Sequence, residues 1–219
     1  MTHLFAVNER DKICRQGIYR QYQEIQNSKQ LLNPFKPHMH RLRVLCRQCP
    51  SVLHLGSIVT AATLSIFLGM TDVEMKDKQF LAVGRPCTNI SELKKLNRWA
   101  RDLKIKFNYI EKNTCLIEPL DADLLFVDSD HRYAHLSLEL ENMHQKISKY
   151  IFIHHTGSPW GLVDEQNYFI DDFAYPEWID CSKRGLRAAV QDFLNRHPEW
   201  QKDEENANSH GFTILKRLK

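Results

Sequence analysis

Histidines and carboxylates are concentrated at the ends of three short apolar segments. His54 lies in SVLHL, Asp128 ends DLLFVD with Asp130 and His131 just beyond it, and His154 and His155 follow KYIFI. Imidazole and carboxylate groups transfer protons near neutral pH, and they also bind Zn, Fe, Mn or Ni ions. If the three segments are neighbouring strands, the sequence predicts a proton-transfer site, or a divalent metal site formed by Asp128, His131, His154 and His155.

The roles of these residues leave alternatives open. His131 could act as a general base, with Asp128 orienting it or holding a divalent ion. Asp128 could equally cap the helix that follows it, and His54 and His131 could be hydrogen-bonded pocket residues without a metal. Because successive side chains of a strand point to opposite sides, we expect only one of His154 and His155 to face the cleft.

Alternating strand and helix patterns place these residues at one edge of a sheet. Apolar runs predict strands at residues 51–55, 79–83, 105–110, 123–128 and 149–153, and a closing pair at 199–202 and 212–218. Helical spacing predicts helices at 13–25, 39–49, 60–69, 92–103, 136–147 and 184–196, with Ser91 as an N-cap. This alternation predicts an α/β fold with a mostly parallel sheet and an antiparallel hairpin at its end.

Ligands of such sheets bind beyond the carboxyl ends of the strands, so function is expected at residues 54–60, 83–87, 128–133 and 154–161. The long segment 156–180 follows one of these strands and is rich in aromatic and acidic side chains, among them Trp160 and Glu165. It is either a lid over the cleft or a packing loop at a sheet edge or dimer contact. Aromatic rings beside carboxylates suit sugar or cationic ligands.

Composition restricts the class of protein. The chain has 219 residues, of which 42% are hydrophobic and 26% charged, and this fits one globular domain with at most a small appendage. No apolar run approaches the ~20 residues of a membrane span. The first residues lack the pattern of a signal peptide and the six cysteines form no disulfide framework, so we expect a cytoplasmic protein. The net charge of +3 does not favour nucleic acid.

The first 50 residues differ from the rest in charge. Nine Lys and Arg stand against three Asp and Glu between Glu9 and Cys49. We therefore expect a helical extension over residues 1–50 and a Rossmann-like domain over residues 51–219. Cys46 and Cys49 fit the apolar face of a helix, although with His38 and His40 they could also form a zinc site.

Several short motifs follow one another in a fixed order. They are VDSDHRY at residues 127–133, HHT at 154–156 with Gly161, GLRAA at 185–189, RHPEW at 196–200 and GFTIL at 211–215. In this order they resemble the class I S-adenosylmethionine-dependent methyltransferases, in a short branch found in phages, viruses and bacteria. The resemblance runs from about Ile18 to the C-terminus. It implies a seven-stranded Rossmann-like sheet with S-adenosylmethionine as cofactor.

The sequence departs from the family pattern at four positions that face the cofactor there. His54 replaces an acid, Thr60 replaces a glycine, residues 83–86 lack the ribose-binding carboxylate, and His155 replaces an aspartate. Arg85 cannot accept a hydrogen bond from a ribose hydroxyl. The cofactor-binding positions that the resemblance implies are His54, Gly56, Ser57, Thr60, Val83, Arg85 and Asp128.

Three functions remain open at this point. The resemblance implies methyl transfer to a hydroxyl oxygen of a sugar or small molecule, with His131 as the base and Asp128 beside it. The four departures favour instead a binding or regulatory protein that keeps the fold without methyl transfer. The histidine cluster favours a metalloenzyme that uses the same cleft. A homodimer is compatible with each of them.

Overall fold

A computed structural model describes residues 9–28, 33–58, 60–166 and 174–218 of the chain. Its strands are β1 Ser51–Gly56, β2 Gln79–Gly84, β3 Lys106–Glu111, β4 Ala122–Asp128, β5 Ile147–His154, β6 Trp200–Asn206 and β7 Phe212–Arg217. They form one sheet in the order β3-β2-β1-β4-β5-β7-β6. The first five are parallel, and β7 runs antiparallel to both β5 and β6. The predicted α/β fold with its C-terminal hairpin is confirmed.

Six α-helices cover the two faces of this sheet. They are α1 Glu9–Asn27, α2 Met39–Cys46, α3 Thr60–Asp72, α4 Ile90–Asp102, α5 Tyr133–Met143 and α6 Leu186–Arg196. Alternate strand residues point to opposite faces, so β1 contributes Val52 to the layer under α1 to α4 and Leu53 to the layer under α5 and α6. No helix in the described ranges is long and apolar enough to cross a bilayer.

The helices of the first 50 residues pack against α3, and α1 also packs against α4. Ile18 of α1 and Leu42 of α2 lie in the same core cluster as Val52 of β1. Part of the basic surface of these helices is neutralised at the end of α3, where Asp72 accepts hydrogen bonds from three arginines, Arg15, Arg43 and Arg47. The division into an extension over 1–50 and a domain over 51–219 remains a prediction.

Several element boundaries differ from the sequence prediction, and two of these differences have a local cause. The N-cap of α4 is Asn89, whose side chain accepts a hydrogen bond from the Glu92 amide, while the Ser91 hydroxyl bonds to Asn89 instead of capping the helix. Asparagine and serine are equally good N-caps, so the pattern could not separate them. The helix predicted to reach Ile147 ends at Met143, because a 3₁₀ turn at His144–Lys146 leads into β5.

The cysteines are all free thiols, and four of the six are buried. Cys46 and Cys49 lie in the core under the sheet, and burial raises the pKa of Cys49 to about 12. Among the described residues, the two thiols do not form a group with His38 and His40 that could hold a metal ion. Both cysteines pack as small hydrophobic residues in the core.

Candidate functional site

Three histidine rings converge on one buried carboxylate at the carboxyl ends of β4 and β5. Oδ1 of Asp128 lies 3.0 Å from Nδ1 of His154, 3.3 Å from Nε2 of His155 and 3.9 Å from Nε2 of His131. The Asp128 side chain is 8% exposed. We call these four residues the Asp128 cluster. Three of them, Asp128, His131 and His155, offer ligand atoms within 4.8 Å of one another.

The parallel register of β4 and β5 creates this meeting point. Val127 pairs with Ile153, so Asp128 and His154 follow at the same edge of the sheet. His155 then takes a left-handed backbone conformation with φ +63°. This turn breaks the alternation of a regular strand, and both adjacent rings reach Asp128. His154 reaches this carboxylate while packed against Phe35 and His38, and the expectation that only one of the two histidines faces the cleft stays a prediction.

The loop after β5 adds a second carboxylate to the cluster. Oε2 of Glu165 lies 2.6 Å from Nδ1 of His131, and the Glu165 amide donates to the His131 carbonyl. The indole of Trp160 stacks near the same imidazole, with ring centres 6.0 Å apart. Sequence reasoning named Glu165 only as one acid of this loop. Residues 167–173 of the loop lie outside the described residues, and its role as a lid remains a prediction.

Asp128 does not cap the following helix. The amide of Tyr133, the first residue of α5, donates to Oδ1 of Asp164 at 2.9 Å, and the Gly185 amide donates to the same oxygen. The capping function that the sequence left open for Asp128 therefore belongs to Asp164. The Asp128 carboxylate instead contacts the three histidine rings.

The pKa values of the cluster diverge. Burial alone would raise the pKa of Asp128, but the charge of His154 and contacts from the three rings hold that pKa well below its ordinary value. Burial lowers the pKa of His155 to about 4. Burial also acts to lower the pKa of His131, but Asp128 and Glu165 outweigh it and leave the pKa raised above 6.5. The two carboxylates therefore favour the charged form of the His131 ring, whereas burial favours the neutral form of the His155 ring.

Two further histidines surround the cluster without having been predicted. The His38 ring packs against His154 with centres 5.5 Å apart, and its Nε2 contacts the carbonyl of Ser209. Nδ1 of His210 lies 3.2 Å from Nδ1 of His155. His38 precedes α2 and His210 precedes β7, so both are remote in sequence and no spacing pattern connects them with residues 128–155.

Three predicted cofactor residues, His54, Thr60 and Val83, are not part of the lining of the pocket at the carboxyl ends of β1 to β4. His54 is fully buried on the α3 side of the sheet between Phe80 and Phe126, and neither ring nitrogen has a hydrogen-bond partner among the described residues. Burial lowers its pKa to about 4, so it is a neutral core residue. Val83 is buried on the other face, and the Thr60 hydroxyl donates to Glu92 of α4. Sequence analysis expected His54 in the cleft, but the structure buries it in the core.

Three other predicted cofactor residues, Gly56, Ser57 and Arg85, line a pocket at the carboxyl ends of β1 to β4, whereas Asp128 is not part of its lining. The pocket there is lined by Gly56, Ser57, Gly84, Arg85, Lys112, Asn113, Thr114, Ser129, Asp130 and His135. A Cβ on Gly84 would clash with the Gly56 carbonyl, and one on Gly56 with the Asp128 carbonyl. These glycines therefore allow the strand ends to approach one another closely. We call this site the strand-end pocket.

The donors and acceptors of the strand-end pocket fit a nucleoside. Ser57, Asn113 and Thr114 offer hydrogen-bonding groups, and Asp130 supplies a carboxylate that is also bound by Arg132. A carboxylate has about four acceptor sites, so Asp130 can bind a hydroxyl in addition to the guanidinium. The free space is about 40 Å³, enough for a few water molecules. This space is smaller than a nucleoside.

No family model and no curated protein matches the chain. Solved structures do match it. An O-methyltransferase from Bacillus cereus in complex with SAH is 12% identical, with 94% of this chain and 91% of that chain covered and a TM-score of 0.52. The O-methyltransferase TomG from Streptomyces achromogenes, in complex with SAM, is 12% identical over 99% and 93%, with a TM-score of 0.54.

The SAH-bound methyltransferase PaMTH1 from Podospora anserina is 11% identical, with 100% of this chain and 98% of that chain covered and a TM-score of 0.54. At these identities the similarity establishes the fold. The chain has the Rossmann-like fold of the class I methyltransferases, with the sheet order and C-terminal hairpin described above.

The divergence of pKa values can be measured ring by ring. We expect NMR titration of the histidine side chains to give His131 a pKa above 6.5 and His155 a pKa of about 4. Glu165→Gln should lower the His131 pKa because it removes one of two carboxylates that stabilise the imidazolium. His40, which is exposed and lies outside the Asp128 cluster, serves as the internal control. A His131 pKa below 6.5 in the unaltered chain would contradict the described geometry.

Proposed function

We propose that the protein is an S-adenosylmethionine-dependent methyltransferase that methylates a hydroxyl oxygen of a sugar or other small molecule. The observation that carries this proposal is the hydrogen-bonded pair Glu165–His131 beside Asp128, at the carboxyl end of β4. The fold supports it, since similar structures are O-methyltransferases bound to SAM or SAH. Membership of the short phage, viral and bacterial branch, a cytoplasmic location and a homodimer remain predictions.

The strand-end pocket is the proposed cofactor site. Ser57, Asn113 and Thr114 would hydrogen-bond the nucleoside, and Asp130 would take the place of the carboxylate missing at the end of β2. When bound, S-adenosylmethionine supplies an electrophilic methyl group on a sulfonium. Ser129 and Asp130 line this pocket and directly precede His131, so the pocket adjoins the Asp128 cluster.

His131 is the proposed general base. As the acceptor oxygen bonds to the methyl carbon and the carbon–sulfur bond breaks, the hydroxyl proton would pass to Nε2 of the ring. Glu165 holds the proton on Nδ1, which fixes the tautomer with its lone pair on Nε2. Asp128 stabilises the imidazolium that forms. The same two carboxylates raise the His131 pKa, so the base becomes neutral only above pH 6.5.

A divalent ion at the Asp128 cluster is an alternative to this proton transfer, because the Nε2 lone pair of His131 cannot bind an ion and accept the hydroxyl proton at the same time. Asp128, His131 and His155 each offer one ligand atom within 4.8 Å of the others, while His154 contacts the Asp128 oxygen from the core side. Imidazole and carboxylate suit an ion of the Zn, Fe, Mn or Ni group. Such an ion would bind the acceptor oxygen and lower the pKa of its hydroxyl.

A binding protein without methyl transfer is the second candidate. It is favoured by two cations in the strand-end pocket, Arg85 and Lys112, and by the small free space there. S-adenosylmethionine carries a sulfonium and an ammonium against one carboxylate, so its net charge is positive. Cations in the pocket therefore weaken its binding by repulsion.

The role of His131 is tested by methyl transfer from labelled S-adenosylmethionine to a panel of sugar and small-molecule hydroxyls. We expect His131→Gln to lower kcat by about 10²–10⁴-fold, the usual contribution of a positioned base. The rate of the unaltered enzyme should rise with pH and reach half its maximum above pH 6.5. His40→Gln, an exposed change outside the cluster, is the matched control. An unchanged kcat in His131→Gln would remove the proposed base.

The position of the ribose is tested by restoring a carboxylate at the end of β2. Arg85→Glu should tighten binding of S-adenosylhomocysteine by about tenfold or more, because one charge-assisted hydrogen bond contributes roughly 1.5–3 kcal/mol. Lys112→Met is the control, since it removes a positive charge without adding a strong hydrogen-bond acceptor and should give a smaller gain. Equal or weaker binding in Arg85→Glu would favour the second candidate.

A further inference from the structure

A second group of histidines and carboxylates lies at the opposite edge of the sheet. Glu141 and His144 stand three residues apart at the end of α5, and His197 and Glu199 follow the end of α6. Residues three apart on a helix project from the same face. We call these four residues the Glu141 cluster. It is separated from the Asp128 cluster by the length of α5, whose 11 residues span about 16 Å.

The ligand atoms of this group are close enough to share one ion. Glu141, His144 and His197 each offer an atom within 4.8 Å of the others. Oε1 of Glu199 lies 3.3 Å from Nδ1 of His144 and 3.6 Å from Nδ1 of His197. A tetrahedral ion with bonds of about 2.0–2.1 Å holds its ligand atoms about 3.3 Å apart. Small side-chain movements therefore suffice to complete a coordination shell.

The His144 side chain is an independent sign of a missing ligand. It is 5% exposed, and its Nδ1 makes no hydrogen bond among the described residues despite the nearby Glu199. Buried ring nitrogens are normally satisfied, because an unpaired polar atom costs about 1–3 kcal/mol. The His144 and His197 rings lie 4.0 Å apart between centres, with Nδ1 of each ring within 3.6 Å of the same Glu199 oxygen.

The surroundings of the group suit a bound cation. Arg196 donates to Oε1 of Glu141 and so orients that carboxylate. Metal-binding side chains are commonly held in place by such hydrogen bonds from neighbouring residues. Glu199 is 36% exposed and leaves a path from solvent. Two carboxylates and two imidazoles match the ligand preferences of zinc and neighbouring transition metals.

We propose that Glu141, His144, His197 and Glu199 bind one divalent transition-metal ion of the zinc class. The ion would join the ends of α5 and α6 to the residues that precede β6, and so close the edge of the sheet opposite the methyltransferase site. With protein ligands on all sides it is a structural site rather than a catalytic one. This inference does not depend on methyl transfer.

The test uses the full chain after removal of metals with EDTA, with Co²⁺ as the probe and visible absorption as the readout. Asp128→Asn is the background for every measurement, because it disables the other cluster. In this background we expect one Co²⁺ per chain, displaced by Zn²⁺, and a thermal midpoint that rises when Zn²⁺ is added. Absence of Co²⁺ binding in this background would overturn the proposal.

Adding His197→Gln to this background should weaken Co²⁺ binding at least about tenfold and abolish the rise in thermal midpoint. His40→Gln in the same background is the matched control and should leave both unchanged. If the His197 variant does not fold, Glu199→Gln replaces it, because that side chain lies at the surface and should also weaken binding. If the variant that folds, His197→Gln or Glu199→Gln, binds Co²⁺ with unchanged affinity, the proposed site is contradicted.

Discussion

The charge of one buried carboxylate determines how the side chains are arranged at the carboxyl edge of the sheet. Asp128 ends a strand that lies between two others, so its charge is removed from water and needs compensation from neighbouring groups. The parallel strand β5 supplies two adjacent histidines, and the loop after β4 supplies a third. His155 accepts an uncommon left-handed backbone to bring its ring to this carboxylate. Glu165 in turn is held at Nδ1 of His131 by a hydrogen bond.

The sequence predicted the fold and the Asp128 cluster for a simple reason. Buried parallel strands are short apolar runs, and the first polar residue after each run must lie at the carboxyl edge of the sheet. Glu165, His38 and His210 could not be found in this way, because their segments have no periodicity that fixes their direction. His54 was misplaced because the apolar run does not reveal which face each strand residue occupies. It points into the core under α3.

The two halves of the carboxyl edge, at β1 and β2 and at β4 and β5, carry different kinds of side chain. At β1 and β2, the residues expected to hold the cofactor are a core histidine, a buried valine and an arginine, and the glycines serve close packing between strands. At β4 and β5, the groups that can move a proton or hold an ion remain in contact. The proposed chemistry thus depends on whether Asp130 and the residues after β3, Asn113 and Thr114, can hold a nucleoside without the usual carboxylate.

Calorimetric titration of the unaltered protein with S-adenosylmethionine and S-adenosylhomocysteine tests this dependence most directly. The account predicts binding of one molecule per chain with a dissociation constant in the micromolar range, or a binding free energy of about −8 kcal/mol. It also predicts that the two compounds compete with each other. No heat at protein concentrations near a millimolar would contradict a methyltransferase and leave a binding protein with the same fold.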